Sequence, residues 1–240
     1  MTTNVSLVRL AEVANVLEAD LAAEFGAEFV TKDEAPVHQA VALAFDTAHL
    51  ARDKAAELTS FLSLNVPPLR LPTGREYMED FATTIASTVA LPRAWRTDPE
   101  RAVSRLLVSP HEVTHVTQHR RGVDAGLWPD VVGHSVLYVS SVASDQGAEY
   151  VGHVEADAYA VTECLRSWLN GGARRPEAEI VESLRRHYAL RPSGADVAEA
   201  TLRSHYATMD DGGVPNVTVC RWTIAWLEQH AADLKGQVSV

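Results

Sequence analysis

The sequence predicts a mainly α-helical α+β fold, organised as a single domain over residues 1–240. Three observations lead there. Apolar residues recur every three or four positions through most of the chain, the period of helices with one buried face. One stretch alone, FATTIASTVALP at 81–92, carries the β-branched alternation of a strand. Proline- and glycine-rich breaks, NVPPLRLPTG at 65–74 foremost, separate these segments.

Taken in order, Leu7, Leu10, Val13, Leu17 and Leu21 predict an amphipathic helix that ends near Gly26. A second helix follows, with Asp33 as its cap, Pro36 in its first turn and Val37, Val41, Phe45 and Ala48 as its buried stripe to about Leu62. The two are expected to form an N-terminal helical hairpin over residues 1–65. After the connector, Ile85, Val89 and Leu91 alternate with Thr84, Thr88 and Ala90 in a strand that stops at Pro92. Asp98 and Pro99 then open a helix whose pattern meets Pro110, where a kink or a break at Ser109 is expected. A further helix is predicted around Asp130–Ser141. The segment AEYVGHVEADAYAVTECLRSWLNGG predicts a long helix with Val151, Val154, Ala158, Val161, Leu165 and Trp168 on one face and a Gly-Gly stop. Residues 176–240 read as C-terminal helices broken at RPSG and DDGGVP, the last carrying Trp222, Trp226 and Leu227.

Composition narrows the function classes. A net charge of -11 argues against a phosphate-neutralising surface, so no nucleic-acid partner is expected. Arg9, Glu12, Glu18 and Asp20 interrupt the opening segment too early for a secretory signal. The longest stretch without Asp, Glu, Lys or Arg, residues 131–144, is shorter than the roughly twenty residues a membrane span needs. The expectation is therefore a cytoplasmic protein with no membrane partner. Cys164 and Cys220 both fall in apolar helical patterns and read as buried free thiols.

The motif that carries chemistry is HEVTH, His111 to His115, within HEVTHVTQH. Four-residue spacing puts both imidazoles on one helix face, where they can share a tetrahedral Zn²⁺, while Glu112 beside them can act as general base toward an activated water. With ten histidines and eighteen glutamates in the chain, such a pattern is expected by chance roughly 0.03 times in a chain of this composition. Val113, Val116, Leu106 and Leu107 mark the helix as buried, an environment in which two imidazoles and a carboxylate are costly without a partner. A di-iron bundle would need a second Glu-x-x-His unit, and none is present beyond Glu112–His115. His119 continues the same face but lies eight residues, about 12 Å along the axis, from His111. A metzincin arrangement is excluded by Gln118 and Arg121, which stand where it needs a glycine and a histidine. The third ligand must come from a later helix, and GHVEADAYA at 152–160 is the nearby segment dense in ligand-type residues.

HEVTHVTQH followed some forty residues on by EADAYA resembles the zincin metallopeptidases of gluzincin type, over about Ala82 to Leu165. The resemblance implies a zincin-like catalytic core over residues 80–170, with a small β-sheet beside the active-site helix and extended substrate bound along the edge of TTIASTVALP. It implies one Zn²⁺ per chain, a peptide or protein substrate and Glu112 as the base. Aligning ADAYA with the family's Glu-x-x-x-Asp frame puts Asp157 at the aspartate that orients a ligand histidine. His153 then stands where the family has its ligand glutamate. His153 is accordingly the first choice of third ligand, with Glu155 next if the frame shifts, and then Glu149. Tyr150, on the face of His153, is a candidate oxyanion donor, and His134 a more distant one. The function these readings imply is zinc-dependent peptide hydrolysis. The alternatives are a catalytically degenerate zincin domain that serves as a protein-binding scaffold, and a zinc hydrolase of a non-peptide substrate.

Overall fold

The computed structural model describes residues 5–47, 72–127, 144–188, 190–238 and 240. The predicted helix at 130–141, with His134, lies outside these residues, as do 48–71 with the end of the predicted second helix.

Helix α1 (Leu7–Phe25) begins where the Ser6 hydroxyl accepts from Arg9 N–H and ends at Gly26, whose φ of 58° needs a residue without a Cβ. Arg120 donates to the carbonyls of Phe25 and Gly26 at that terminus. Strand β1 (Glu28–Thr31) follows. Nothing in the residue pattern announces it, since four residues are too few to show a period. Its place is fixed by parallel pairing with a distant strand.

Helix α2 occupies residues 36–47. Asp33 is not its cap: the helix starts three residues later at Pro36, and the Asp33 carboxylate instead takes Arg93 at 2.8 Å. Helix α3 (Gly74–Asp80) opens with a capping box between Thr73 and Glu76. FATTIASTVALP is two strands, not one. β2 (Thr83–Ile85) and β3 (Thr88–Leu91) pair antiparallel across a two-residue turn in which Ala86 adopts φ 54°. The turn lacks the glycine or asparagine that normally announces it. The sheet order is β1-β3-β2, so β3 is central and fully engaged.

After the short α4 (Arg93–Thr97), Asp98 caps a 3₁₀ turn that leads into α5 (Ala102–Asp124). Pro110 does not break this helix at Ser109; α5 runs through it. Proline deletes one backbone donor, while buried Leu106, Val113 and Val116 hold both sides of it in the core.

Helix α6 (Asp145–Asn170) starts at the Ser144 cap and ends at Gly171, and its six predicted core residues are buried. Helices α7 (Glu177–His187), α8 (Pro192–Asp210) and α9 (Thr218–His230) complete the described fold. RPSG is a helix start, with Pro192 in the first position of α8, a place proline tolerates because that N–H has no helical partner.

One core joins α1, α5, α6, α9 and the sheet through residues such as Leu17, Leu91, Val113, Val161 and Leu227. A second joins α6 to α7 and α8 through Val151, Ile180, Leu184 and Leu202. Helices α6 and α8 approach so closely that a Cβ on Gly152 would lie 2.1 Å from the Gly194 carbonyl oxygen. Within the N-terminal part, α1 packs on α5. Its Glu18 carboxylate meets the Arg105 guanidinium at 2.6 and 2.9 Å, and Ser109 adds a third bond. Both charges are almost fully buried, so this contact fixes α1 against the helix that carries HEVTH. Among the described residues, no helix is long and apolar enough to cross a membrane.

Candidate metal centre

His111 and His115 project from one face of α5, their rings 5.1 Å apart between centroids. Facing them from α6 is Glu155, 1% exposed. Its carboxylate lies 3.8 Å from His111 Nε2 and 3.5 Å from His115 Nε2. One ligand atom from each of the three side chains falls within 4.8 Å of the others, and this buried group could hold a metal ion.

The third position corrects the sequence expectation. Glu155, not His153, stands beside the two histidines. His153 lies on the far side of α6 with its side chain 57% exposed, 3.9 Å from Asp157 and hydrogen-bonded to Thr201 of α8 at 3.3 Å. Asp157 takes His205 Nε2 at 2.8 Å, so neither His111 nor His115 is oriented by it. Glu149 is exposed. Tyr150 packs against the α6–α8 core, and burial pushes its phenol up to about 12. His119 is buried on α5 outside the three-residue group.

The separations decide what the cluster suits. At 3.5 and 3.8 Å the nitrogens and oxygens are too far apart for good hydrogen bonds to one another. Two donors each about 2.1 Å from one tetrahedral ion sit roughly 3.4 Å apart, which is close to what is observed.

The far nitrogens of both rings are held by acceptors. His115 Nδ1 is 2.9 Å from Gln118 Oε1, and the Gln118 amide is locked in that orientation because its Nε2 donates to the Val154 carbonyl at 3.0 Å. His111 Nδ1 is 3.1 Å from Thr162 Oγ1, whose hydroxyl donates to the Ala158 carbonyl at 3.4 Å. With N–H at Nδ1, both Nε2 lone pairs point toward Glu155, the tautomer a metal ligand needs. Burial, with His115 adding to it, pulls the His111 pKa well below 6.5 and keeps the ring neutral. Tyr159 sets its ring edge-on against His111 at 5.0 Å.

Glu112 is buried next to the cluster and accepts from the Thr84 hydroxyl of β2 at 2.8 Å. Burial raises its pKa; His115, Thr84 and Lys32 oppose the rise, and Glu155 adds to it. Lys32, just past β1, is 1% exposed, with its ammonium against the Tyr77 carbonyl and 3.5 Å from the centre of the Tyr77 ring. Burial lowers it to about 7.

Thr84, Thr162, Tyr159 and Lys32 carry no site signal in the sequence, because each comes near the cluster through tertiary packing; Gln118 is a local neighbour, three residues from His115 on the same helix, and its spacing alone does not mark it as the partner of Nδ1. Glu155 did leave a signal. It lies on the line Val151, Glu155, Ala158, Thr162, Leu165, which runs inside the buried stripe of α6. No family model, curated protein or solved structure matches the chain.

Proposed function

We propose that the chain is a zinc-dependent metallopeptidase with a zincin-like core, in which His111, His115 and Glu155 bind the ion and Glu112 is the general base. One observation carries the reading. Two imidazoles, each held at Nδ1, present Nε2 to a buried carboxylate at 3.5 and 3.8 Å. Among the described residues the donor set is His₂Glu, three protein ligands, as in catalytic rather than structural zinc sites. Bound there, zinc would act as a Lewis acid on the carbonyl and make water a nucleophile near neutral pH.

The chain's own residues supply the rest. A Glu112 carboxylate oxygen takes a proton from the attacking water as its oxygen bonds to the peptide carbonyl carbon. The same carboxyl returns the proton to the departing amine nitrogen as the C–N bond breaks. The Thr84 hydroxyl donates to Glu112 Oε2, so the base stays held while it changes charge. Thr84 belongs to β2, an outermost strand of the sheet among the described residues. A peptide laid along β2 in extended form would pass Glu112, and backbone pairing would bind it with little dependence on side chains.

The test compares zinc-loaded protein with Glu112→Gln on unfolded casein and on a mixed peptide pool, read by mass spectrometry. The expected result is cleavage by the wild type and a loss of at least about 10²-fold in the variant, with metal content unchanged. Equal cleavage by both proteins, or none by the zinc-loaded wild type, would contradict the proposal.

A further inference from the structure

An imidazole held at one nitrogen can still swing about that bond, and the swing carries its other nitrogen away from an ion. His111 has one such hold, its Nδ1 at 3.1 Å from Thr162 Oγ1. Ring contacts supply the rest. The His115 ring meets it nearly perpendicular, at 79° with the centroids 5.1 Å apart. The Tyr159 ring of α6 meets it at 85° and 5.0 Å, the edge-to-face arrangement that aromatic rings favour. Tyr159 lies one turn beyond Glu155, so the helix that brings the carboxylate also brings this wall.

The wall is itself held. The Arg175 guanidinium lies over the Tyr159 ring, 5.5 Å from its centre, within reach of a cation–π attraction. Arg175 belongs to the connector between α6 and α7, and both oxygens of the fully buried Glu163 fasten it. Its Nε donates to one at 2.7 Å and its backbone N–H to the other at 2.8 Å. The Tyr206 phenol of α8 donates to the Arg175 carbonyl at 2.6 Å. A continuous set of contacts thus runs from a fastened ion pair, through one aromatic ring, to a candidate ligand.

We propose that Tyr159 is a positioning residue for the metal centre: its ring, backed by Arg175, fixes the plane of His111 so that Nε2 faces the ion. This rests on the metal-site reading given above. The ring and not the hydroxyl does the positioning, so phenylalanine should serve as well as tyrosine and an aliphatic side chain should not.

The experiment uses the full chain, with zinc and cobalt as probes. Zinc affinity is measured by competition with a chromophoric chelator for the wild type, Tyr159→Phe and Tyr159→Leu, and the visible spectrum of each cobalt-loaded protein is recorded. Melting of the metal-free proteins checks that folding is intact. The expected result is zinc binding weakened about 10- to 100-fold in Tyr159→Leu, with shifted cobalt bands and metal-free melting within a few degrees of wild type. Tyr159→Phe should keep the wild-type affinity and spectrum. An affinity within about twofold of wild type and an unchanged cobalt spectrum in Tyr159→Leu would overturn the role of the ring. So would a loss in Tyr159→Phe as large as that expected of leucine, an outcome that does not depend on how the leucine variant folds. Failure of the wild-type protein to bind either metal would instead overturn the metal-site reading, and it is distinguishable because it involves neither variant.

Discussion

Replacing Gln118 by leucine isolates how far the metal centre depends on the support of its ligands. The side chain keeps its size but loses the oxygen that faces His115 Nδ1 at 2.9 Å and the amine that bonds the Val154 carbonyl at 3.0 Å. With metal bound at Nε2, the imidazole proton must sit on Nδ1, in a ring that is 5% exposed. Leaving a buried donor without an acceptor costs about 1–3 kcal/mol. At about 1.4 kcal/mol per factor of ten, that is a loss of roughly 5- to 150-fold in metal affinity. The range agrees with the usual 10- to 100-fold effect of such supporting residues. The metal-free protein escapes most of the cost, because the ring can move its proton to Nε2 and, by closing the 3.5 Å gap a few tenths of an ångström, donate to Glu155. Zinc competition titrations should therefore show the loss while metal-free melting changes little. A dissociation constant within twofold of wild type would refute the claim that Gln118 sets the tautomer of His115.

Two further predictions concern the frame around the site. Glu18→Leu leaves the buried Arg105 guanidinium without its carboxylate, which costs about 3–5 kcal/mol and lowers the melting temperature by about 6–20 °C for a chain of this size. Asp233→Ala, which removes an exposed partner of Arg9, should change stability by less than about 1 kcal/mol; equal shifts for the two variants in thermal melts would contradict this account. His38 is fully buried against Tyr77, and burial, with Lys32 adding to it, lowers its pKa from 6.5 to about 4. A group depressed on folding gives stability that is complete above its unfolded pKa and is lost as pH falls toward the folded one. The melting temperature of the metal-free protein should thus decline between about pH 6.5 and 4, and His38→Leu should flatten that decline; parallel curves for both proteins would count against it.

The parts of this molecule that were legible in the sequence are those governed by local spacing. The α1 stripe, the Gly26 stop, the Asp98 cap and the pairing of His111 with His115 on one face need no knowledge of distant chain. Strand β1 and the β2–β3 turn were hidden because parallel pairing is non-local and Ala86 is an unusual residue for a left-handed turn position. The third ligand failed for a related reason. Choosing between His153 and Glu155 means knowing which face of α6 looks at α5, and a family frame imposed on ADAYA turned that helix by two residues. The apolar pattern already favoured Glu155, whose neighbours Val151, Ala158 and Leu165 are buried, while His153 shares the outer face with Asp157. A buried carboxylate alone was no proof of a ligand, since Glu163 is equally buried and simply pairs with Arg175. What separates the two is the partner: a guanidinium in one case, two imidazole nitrogens in the other.

The buried group His111, His115 and Glu155 could hold one metal ion. Metal content by elemental mass spectrometry, on wild type, Glu155→Ala and His153→Ala purified side by side and then offered zinc, tests it most directly. The account predicts close to one zinc per chain in the wild type and in His153→Ala, and its loss in Glu155→Ala. Zinc retained in Glu155→Ala but lost in His153→Ala, or absent from the wild type after zinc is offered, would contradict it.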